Sequence, residues 1–196
     1  AFFSRVKRFV AVSQFQKDQM TRLWRLSGGD ERIEVIRNST GPVLGARVGV
    51  APTGGVVITA SWVEEYKNPE FWIQTALIAS KELSKAQIQF TWFGSGSMLE
   101  VSRVKATAIA EFAHAEFAGH VPSPEVEYVS AFLYLQPSSV ENMSLSVIEA
   151  LRFGLPALAP STTHERQQDM ILELTNYRRC GENERDQLHH KAQQLA

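Results

Sequence analysis

The chain has one cysteine, Cys180, in 196 residues. One thiol excludes an internal disulfide framework, and such sparing use points to a reducing compartment. No apolar run approaches the roughly 18 residues that a membrane-spanning helix needs. No signal peptide is visible either, so the chain is expected in the cytoplasm, and the N-x-S/T triplets starting at Asn38 and Asn142 read as chance matches. Neither sign of charge dominates: 20 Lys and Arg against 21 Asp and Glu leave a formal −1, which gives no footing for nucleic acid. Repeats and low-complexity tracts are missing. There is no D-x-D pair to hold a metal–diphosphate. The histidines do not group with other ligands: His114 and His120 stand alone and His189-His190 lies in a polar tail, so no metal site is expected. A dinucleotide fingerprint is incomplete, because Gly94 and Gly96 are followed by Leu99 where the third glycine of G-x-G-x-x-G belongs. That argues against a nicotinamide-dependent dehydrogenase.

What is present is an ordinary globular composition, 44% hydrophobic and 21% charged. Phe9–Val12 reads as a strand, Ser13 as the cap of a helix to about Leu26 closed by Gly28-Gly29, and Ile33–Ile36 as a second strand. Glycines and prolines between Gly41 and Gly55 read as a linker. Val56–Ala60 is a β-branched run suited to a central strand. After the loop Ser61–Lys67, Asn68 and Pro69 open a helix as N-cap and first residue, running to about Ser84. A strand at Ile88–Phe93, a turn at Gly94–Ser97, a helix near Met98–Ala110, a strand at Ala115–Ala118 and a short helix at Pro124–Val129 follow. The strands at Ala131–Leu135 and Leu155–Ala159 flank one more helix, and Thr163–Leu174 and Glu182–Ala196 read as helical. Alternation of strand and helix predicts an α/β fold, a Rossmann-like parallel sheet with helices on both faces. In such a sheet ligands collect at the carboxyl ends of the strands.

The stretch Pro137–Pro156, PSSVENMSLSVIEALRFGLP, holds the densest chemistry. A polar loop leads into a helix whose apolar positions are Leu145, Val147, Ile148 and Leu151, stopped by Gly154 and Pro156. Glu141 lies in the loop and Glu149 in the helix, with seven residues between them. The unpaired N–H groups and partial positive charge of a helix N-terminus favour phosphate, and carboxylates beside it suit sugar and ribose hydroxyls. Both needs are met by a nucleotide sugar.

These residues resemble the E-x7-E motif, with its G-x-P tail, of the retaining glycosyltransferases of family four (group 1). A lysine after the first strand (Lys67), a G-x-G after the second (Gly94, Gly96) and a glycine after the third (Gly119) fall in that family's order. The resemblance covers nearly the whole chain and implies the C-terminal, donor-binding half of a GT-B fold. Residues 1–42 would then be the tail end of the N-terminal acceptor domain and its link, 43–180 the nucleotide-sugar-binding domain, and 181–196 a C-terminal helix. It further implies that Glu149 holds the ribose hydroxyls, Glu141 contacts the transferred sugar, and Lys67 neutralises the diphosphate. The backbone of Met143, Ser144 and Leu145 would face phosphate and sugar, Gly94 and Gly96 would allow close approach of the donor, and His120-Val121 would border the base. The family's arginine some six residues before the lysine has no counterpart; Ala60-Ser61-Trp62 stands there, and Ser61 offers one hydrogen bond and no charge. No metal or other cofactor is implied beyond the donor itself.

The implied activity is transfer of a sugar from a nucleotide-diphospho-sugar to an acceptor hydroxyl in glycan, surface polysaccharide or lipopolysaccharide biosynthesis, at most peripheral to the inner face of the membrane. The competing reading is a non-catalytic Rossmann-like interaction or sensing module. Without an initiator methionine, Ala1-Phe2-Phe3 suggests a fragment inactive alone. Its strand at Phe9–Val12 is expected to lack its native sheet, leaving residues 1–40 loosely packed or shared in a dimer.

Overall fold

The computed structural model describes residues 6–25, 31–38, 55–83 and 87–159. The linker expected between Gly41 and Gly55, save Gly55 itself, and the helices expected at Thr163–Leu174 and Glu182–Ala196 fall outside them. The described residues divide into two compact units. One contains 6–25, 31–38 and 141–145; the other contains 55–83, 87–140 and 146–159.

In the first unit, β1 (Phe9–Ala11), α1 (Gln14–Leu23) and β2 (Ile33–Val35) form a β-α-β turn. Ser13 caps α1: its hydroxyl accepts from the Gln16 amide at 3.1 Å, and the Gln16 side chain reaches back past it to accept from the Val12 amide at 2.7 Å. The first bond satisfies a donor that the helix start leaves open, and the second fixes the chain as it enters the helix. The helix stops at Leu23, with Arg25 at φ 51°, before the glycine pair expected to close it. The strand at Phe9 is not left without a partner, contrary to expectation. It pairs in parallel with β2, Phe9 against Ile33 and Ala11 against Val35, and Ala11 and Ile33 are buried. The small sheet buries Ala11 and Ile33, α1 buries none of its own residues, and Phe9 is in ring contact with Trp24 at 5.0 Å.

The second unit is a parallel sheet of β3 (Val56–Ala60), β4 (Gln89–Phe93), β5 (His114–Gly119), β6 (Leu133–Leu135) and β7 (Ala157–Leu158). The spatial order is β5-β4-β3-β6-β7. Between them run α2 (Pro69–Glu82), α3 (Leu99–Ala108), α4 (Glu125–Ser130) and α5 (Leu145–Arg152). The chain moves outward from β3 through β4 to β5, then returns past β3 to β6 and β7. With right-handed crossovers, α2 and α3 cover one face and α4 and α5 the other. The expected fold class is the one observed. Strands β6 and β7 are shorter than the apolar runs containing them, and the loop after β3 carries an unexpected 3₁₀ turn over Glu65–Lys67.

The core on the α2–α3 face is aromatic. Trp72 of α2 meets Phe90, Trp92 and Phe117 of the sheet at centroid distances of 5.9, 5.6 and 4.9 Å. Trp92 also stacks on Phe117 at 5.4 Å. Burial of each ring, roughly 200 Å² at about 25 cal/mol per Å², contributes about 5 kcal/mol before entropy is subtracted. On the other face Tyr128 packs between Tyr134 and Phe153, 6.1 and 5.7 Å away. No helix among the described residues is long and apolar enough to cross a membrane.

Candidate functional site

The order β5-β4-β3-β6-β7 places a topological switch point between β3 and β6, where the chain leaves the sheet in opposite directions. Adjacent crossover connections part there, so the crevice outside the carboxyl ends of these two strands is the natural ligand position of the fold. The loop after β3 carries Ser61 and Lys67, and the loop after β6 carries Gln136, Pro137 and Ser138. The two loops are joined directly: the Tyr66 carbonyl accepts from both the amide and the hydroxyl of Ser139 at 3.0 Å.

Lys67 ends the 3₁₀ turn, half-buried, its ammonium 5.2 Å from the centre of the Tyr66 ring. Asn68 then takes φ 58° and its side chain caps α2 by accepting from the Phe71 amide at 3.3 Å, as the Asn-Pro start signal requires. Ser61 donates its hydroxyl to the Trp62 carbonyl at 3.3 Å, while Trp62 itself is 62% exposed.

Gly94 and Gly96 have a reason internal to the fold. A Cβ on Gly94, at φ 149°, would stand 1.9 Å from the Ser61 carbonyl oxygen, and one on Gly96 would stand 2.4 Å from that of Val63. The close approach is thus made by the chain's own backbone, which locks the loop after β4 onto the loop after β3. The Gly94 amide donates to the Gly119 carbonyl at 2.8 Å, carrying the same lock to the end of β5. His120 beyond it is exposed and Val121 half-buried.

Glu64, a residue the sequence did not single out, fastens the same turn. Its carboxylate accepts from the Ser97 amide at 2.9 Å and the Ser97 hydroxyl at 2.6 Å. Those bonds, the hydroxyl's first, hold its carboxyl below the usual glutamate value. An internal carboxylate thereby takes a donor at the start of α3.

Tyr134, wholly buried at the centre of β6, is the hub of a polar network. Its hydroxyl lies 3.2 Å from the Ala60 carbonyl, 3.2 Å from Gln136 Oε1 and 2.9 Å from Ser146 Oγ. Gln136 in turn donates to Ser138 at 2.7 Å. The first turn of α5 is thus referenced to the end of β3. Glu149 sits three residues beyond Ser146 on the same helix face. It is half-buried, and its Oε2 accepts from the Tyr128 hydroxyl at 3.2 Å.

The second unit therefore brings Ser61, Lys67, Gly94, Gly96, His120 and Val121 to one sheet edge and holds Glu149 in a defined hydrogen bond. Glu141, Met143, Ser144 and Leu145 belong to the first unit. There Asn38 donates its side-chain amide to the Met143 carbonyl at 2.9 Å; Ser144 is buried and Glu141 half-buried. Sequence reasoning missed Glu64, Tyr128, Tyr134 and Arg103, whose Nε donates to the Phe117 carbonyl at 3.0 Å near the end of β5. The one legible signal was a tyrosine and a glutamine inside the apolar run leading to Pro137. Among the described residues no group of three or more His, Cys, Asp or Glu could hold a metal ion.

Residues 54–195 match the family model described as Glycosyl transferases group 1. The chain belongs to this family. The Rossmann-like α/β fold of this group 1 glycosyl transferase chain matches part of GT-B glycosyltransferase structures. A point mutant of S. aureus TarM, solved with fondaparinux, alpha-GlcNAc-glycerol and UDP, superposes with TM-score 0.72 at 17% identity, covering 85% of this chain and 32% of that one. Pneumococcal O-GlcNAc transferase GtfA, solved with UDP and GlcNAc, gives 0.68 at 20% identity, covering 99% and 42%. The lipopolysaccharide outer core galactosyltransferase WaaB gives 0.63 at 15%, covering 84% and 45%. The chain thus spans less than half the length of each of these three structures. No curated protein matches it in sequence.

Proposed function

We propose that this chain is the donor-binding half of a retaining glycosyltransferase of family four, E-x7-E type, acting on a nucleotide-diphospho-sugar. The observation that carries the reading is the switch-point edge, where the Lys67 turn is tied to the loop after β6 and α5 presents a restrained Glu149. In this reading Lys67 balances the diphosphate, Glu149 accepts from the ribose hydroxyls, and the loop at His120-Val121 borders the base. Glu141 accepts from hydroxyls of the transferred sugar and the amides of Met143, Ser144 and Leu145 face phosphate and sugar, roles that rest on the motif. The protein's contribution is to orient the donor and stabilise charge developing on the leaving diphosphate. Lys67 and the α5 amides take the place of a metal cation, and no cofactor is needed beyond the donor.

UDP in the TarM and GtfA complexes, and the lipopolysaccharide role of WaaB, support a nucleotide-sugar donor and a place in surface glycan assembly. In this reading the acceptor is held by the N-terminal domain of a two-domain fold, at the cytoplasmic side of the membrane, and a donor-binding half by itself turns over little donor. Exposed Val10 of β1 and Ile36 just past β2 support a dimer through residues 1–40, which light scattering tests.

Calorimetric titration with UDP, GDP and ADP tests the site. Lys67→Ala should weaken the diphosphate by about 10- to 100-fold, a charge-assisted bond's worth, and leave the nucleoside unchanged. Diphosphate binding unaffected by Glu149→Ala would count against the ribose assignment. A non-catalytic module is the second reading, favoured by one observation: the loop after β3 offers Ser61 and an exposed Trp62 where a second cation is expected. Transfer by the full-length enzyme, abolished by Glu141→Ala, would dispose of it.

A further inference from the structure

We infer that Tyr128 is a positioning residue for ribose recognition: its buried hydroxyl fixes the Glu149 carboxylate so that the chain discriminates ribonucleotides from their deoxy counterparts. The inference rests on the proposed ribose role of Glu149. Tyr128 is 0% exposed, and its ring is confined between Tyr134 of β6 and Phe153 just beyond α5. Its backbone is held as firmly, since its amide donates to the Pro124 carbonyl at 3.1 Å. A fully buried ring in contact with two others leaves its hydroxyl little freedom, and that hydroxyl meets Glu149 Oε2 at 3.2 Å.

A glutamate on a helix surface ordinarily samples several rotamers, all but one of which must be given up on binding. Here one carboxylate oxygen is already anchored. An ionised carboxylate has two oxygens that accept from about four directions, the geometry that a pair of vicinal hydroxyls requires. The anchor also joins two parts of the site. Tyr128 belongs to α4, which starts shortly after His120-Val121, so a shift of that loop moves the tyrosine and with it the ribose carboxylate.

A purely structural role is the competing account, because a buried phenol needs a partner in any case. Stability does not separate the two accounts; the ratio of ribose to deoxyribose affinity does. The probes are UDP, GDP and ADP against their 2′,3′-dideoxy forms, titrated calorimetrically into the 196-residue chain. The parent should prefer the ribonucleotide by about tenfold or more, the scale of a hydrogen bond to a charged group. In Tyr128→Phe the preference should fall at least about threefold, one neutral hydrogen bond's worth, while affinity for the dideoxy form stays put. Glu149→Asp, which withdraws the carboxylate without touching the buried ring, should lose the preference as well. Unchanged preference in Tyr128→Phe overturns the inference and leaves the ribose role of Glu149 standing, whereas unchanged preference in Glu149→Asp overturns both. A parent that binds no diphosphate, or binds both forms equally, overturns the ribose role and the inference with it.

Discussion

Replacing Gly94 by alanine tests whether that glycine serves the fold or a ligand. The new Cβ would lie 1.9 Å from the Ser61 oxygen and 2.8 Å from its carbonyl carbon, so the loop after β3 must retreat by about 1 Å to reach the shortest tolerated contact. Ser61 is not free to retreat. Its amide donates to the Phe93 carbonyl at 3.0 Å, and its oxygen accepts from the buried Trp92 indole at 3.0 Å. Breaking the indole bond strands a buried donor, at about 1–3 kcal/mol. The backbone conformation at φ 149° costs an alanine about 1–3 kcal/mol more. Together these give about 2–6 kcal/mol, or a melting temperature lower by about 4–24 °C for a chain of this size. Gly154→Ala is the control: its φ is 69°, and nothing lies within 4 Å of the added carbon, so only the conformational cost of about 1–2 kcal/mol applies. Both variants are compared with the parent by thermal and urea unfolding, and by diphosphate titration. A Gly94→Ala protein as stable as Gly154→Ala, with only its nucleotide affinity reduced, would refute the packing account and restore the glycine to ligand contact.

Two further outcomes follow from hydrogen bonds at the same edge. The Glu64 carboxyl should titrate below its ordinary 4.5 by NMR, because Ser97 donates to its charged form; its stabilising contribution is present above the unfolded value and fades as pH falls through the folded one. Ser97→Ala should move that midpoint back up, and a midpoint that does not rise would contradict the cause assigned. Tyr134→Phe removes the hydroxyl shared by Ala60, Gln136 and Ser146, and should cost about 1–3 kcal/mol in urea unfolding, with no change if the network is ornamental.

Much of this was legible along the chain because it depends on neighbours in sequence. Val56–Ala60 reads as a strand from its β-branched run. Ser13 and Asn68 announce helix starts through side chains three residues from the amides they cap. The alternation of such elements is enough to call for a parallel sheet, and the spacing of Glu141 and Glu149 is a count. Contacts between residues distant in sequence were not legible. The partner of the strand at Phe9 lies at Ile33, so its pairing surfaced only in the structure.

For the candidate site the division is the same. Residue types and spacing along Lys67, Gly94, Gly96 and the Glu141–Glu149 motif established which groups offer chemistry, since a side chain's functional group comes with its identity. The sheet order β5-β4-β3-β6-β7 established where a switch point lies, and no local pattern encodes that order. Folding alone revealed that the glycines make room for Ser61 and Val63, that Glu64 fastens the start of α3, and that Tyr128 grips Glu149. Each of those contacts joins residues 21 to 33 positions apart. Their chemistry is written in the sequence, but their proximity comes from the packing of the sheet and its helices.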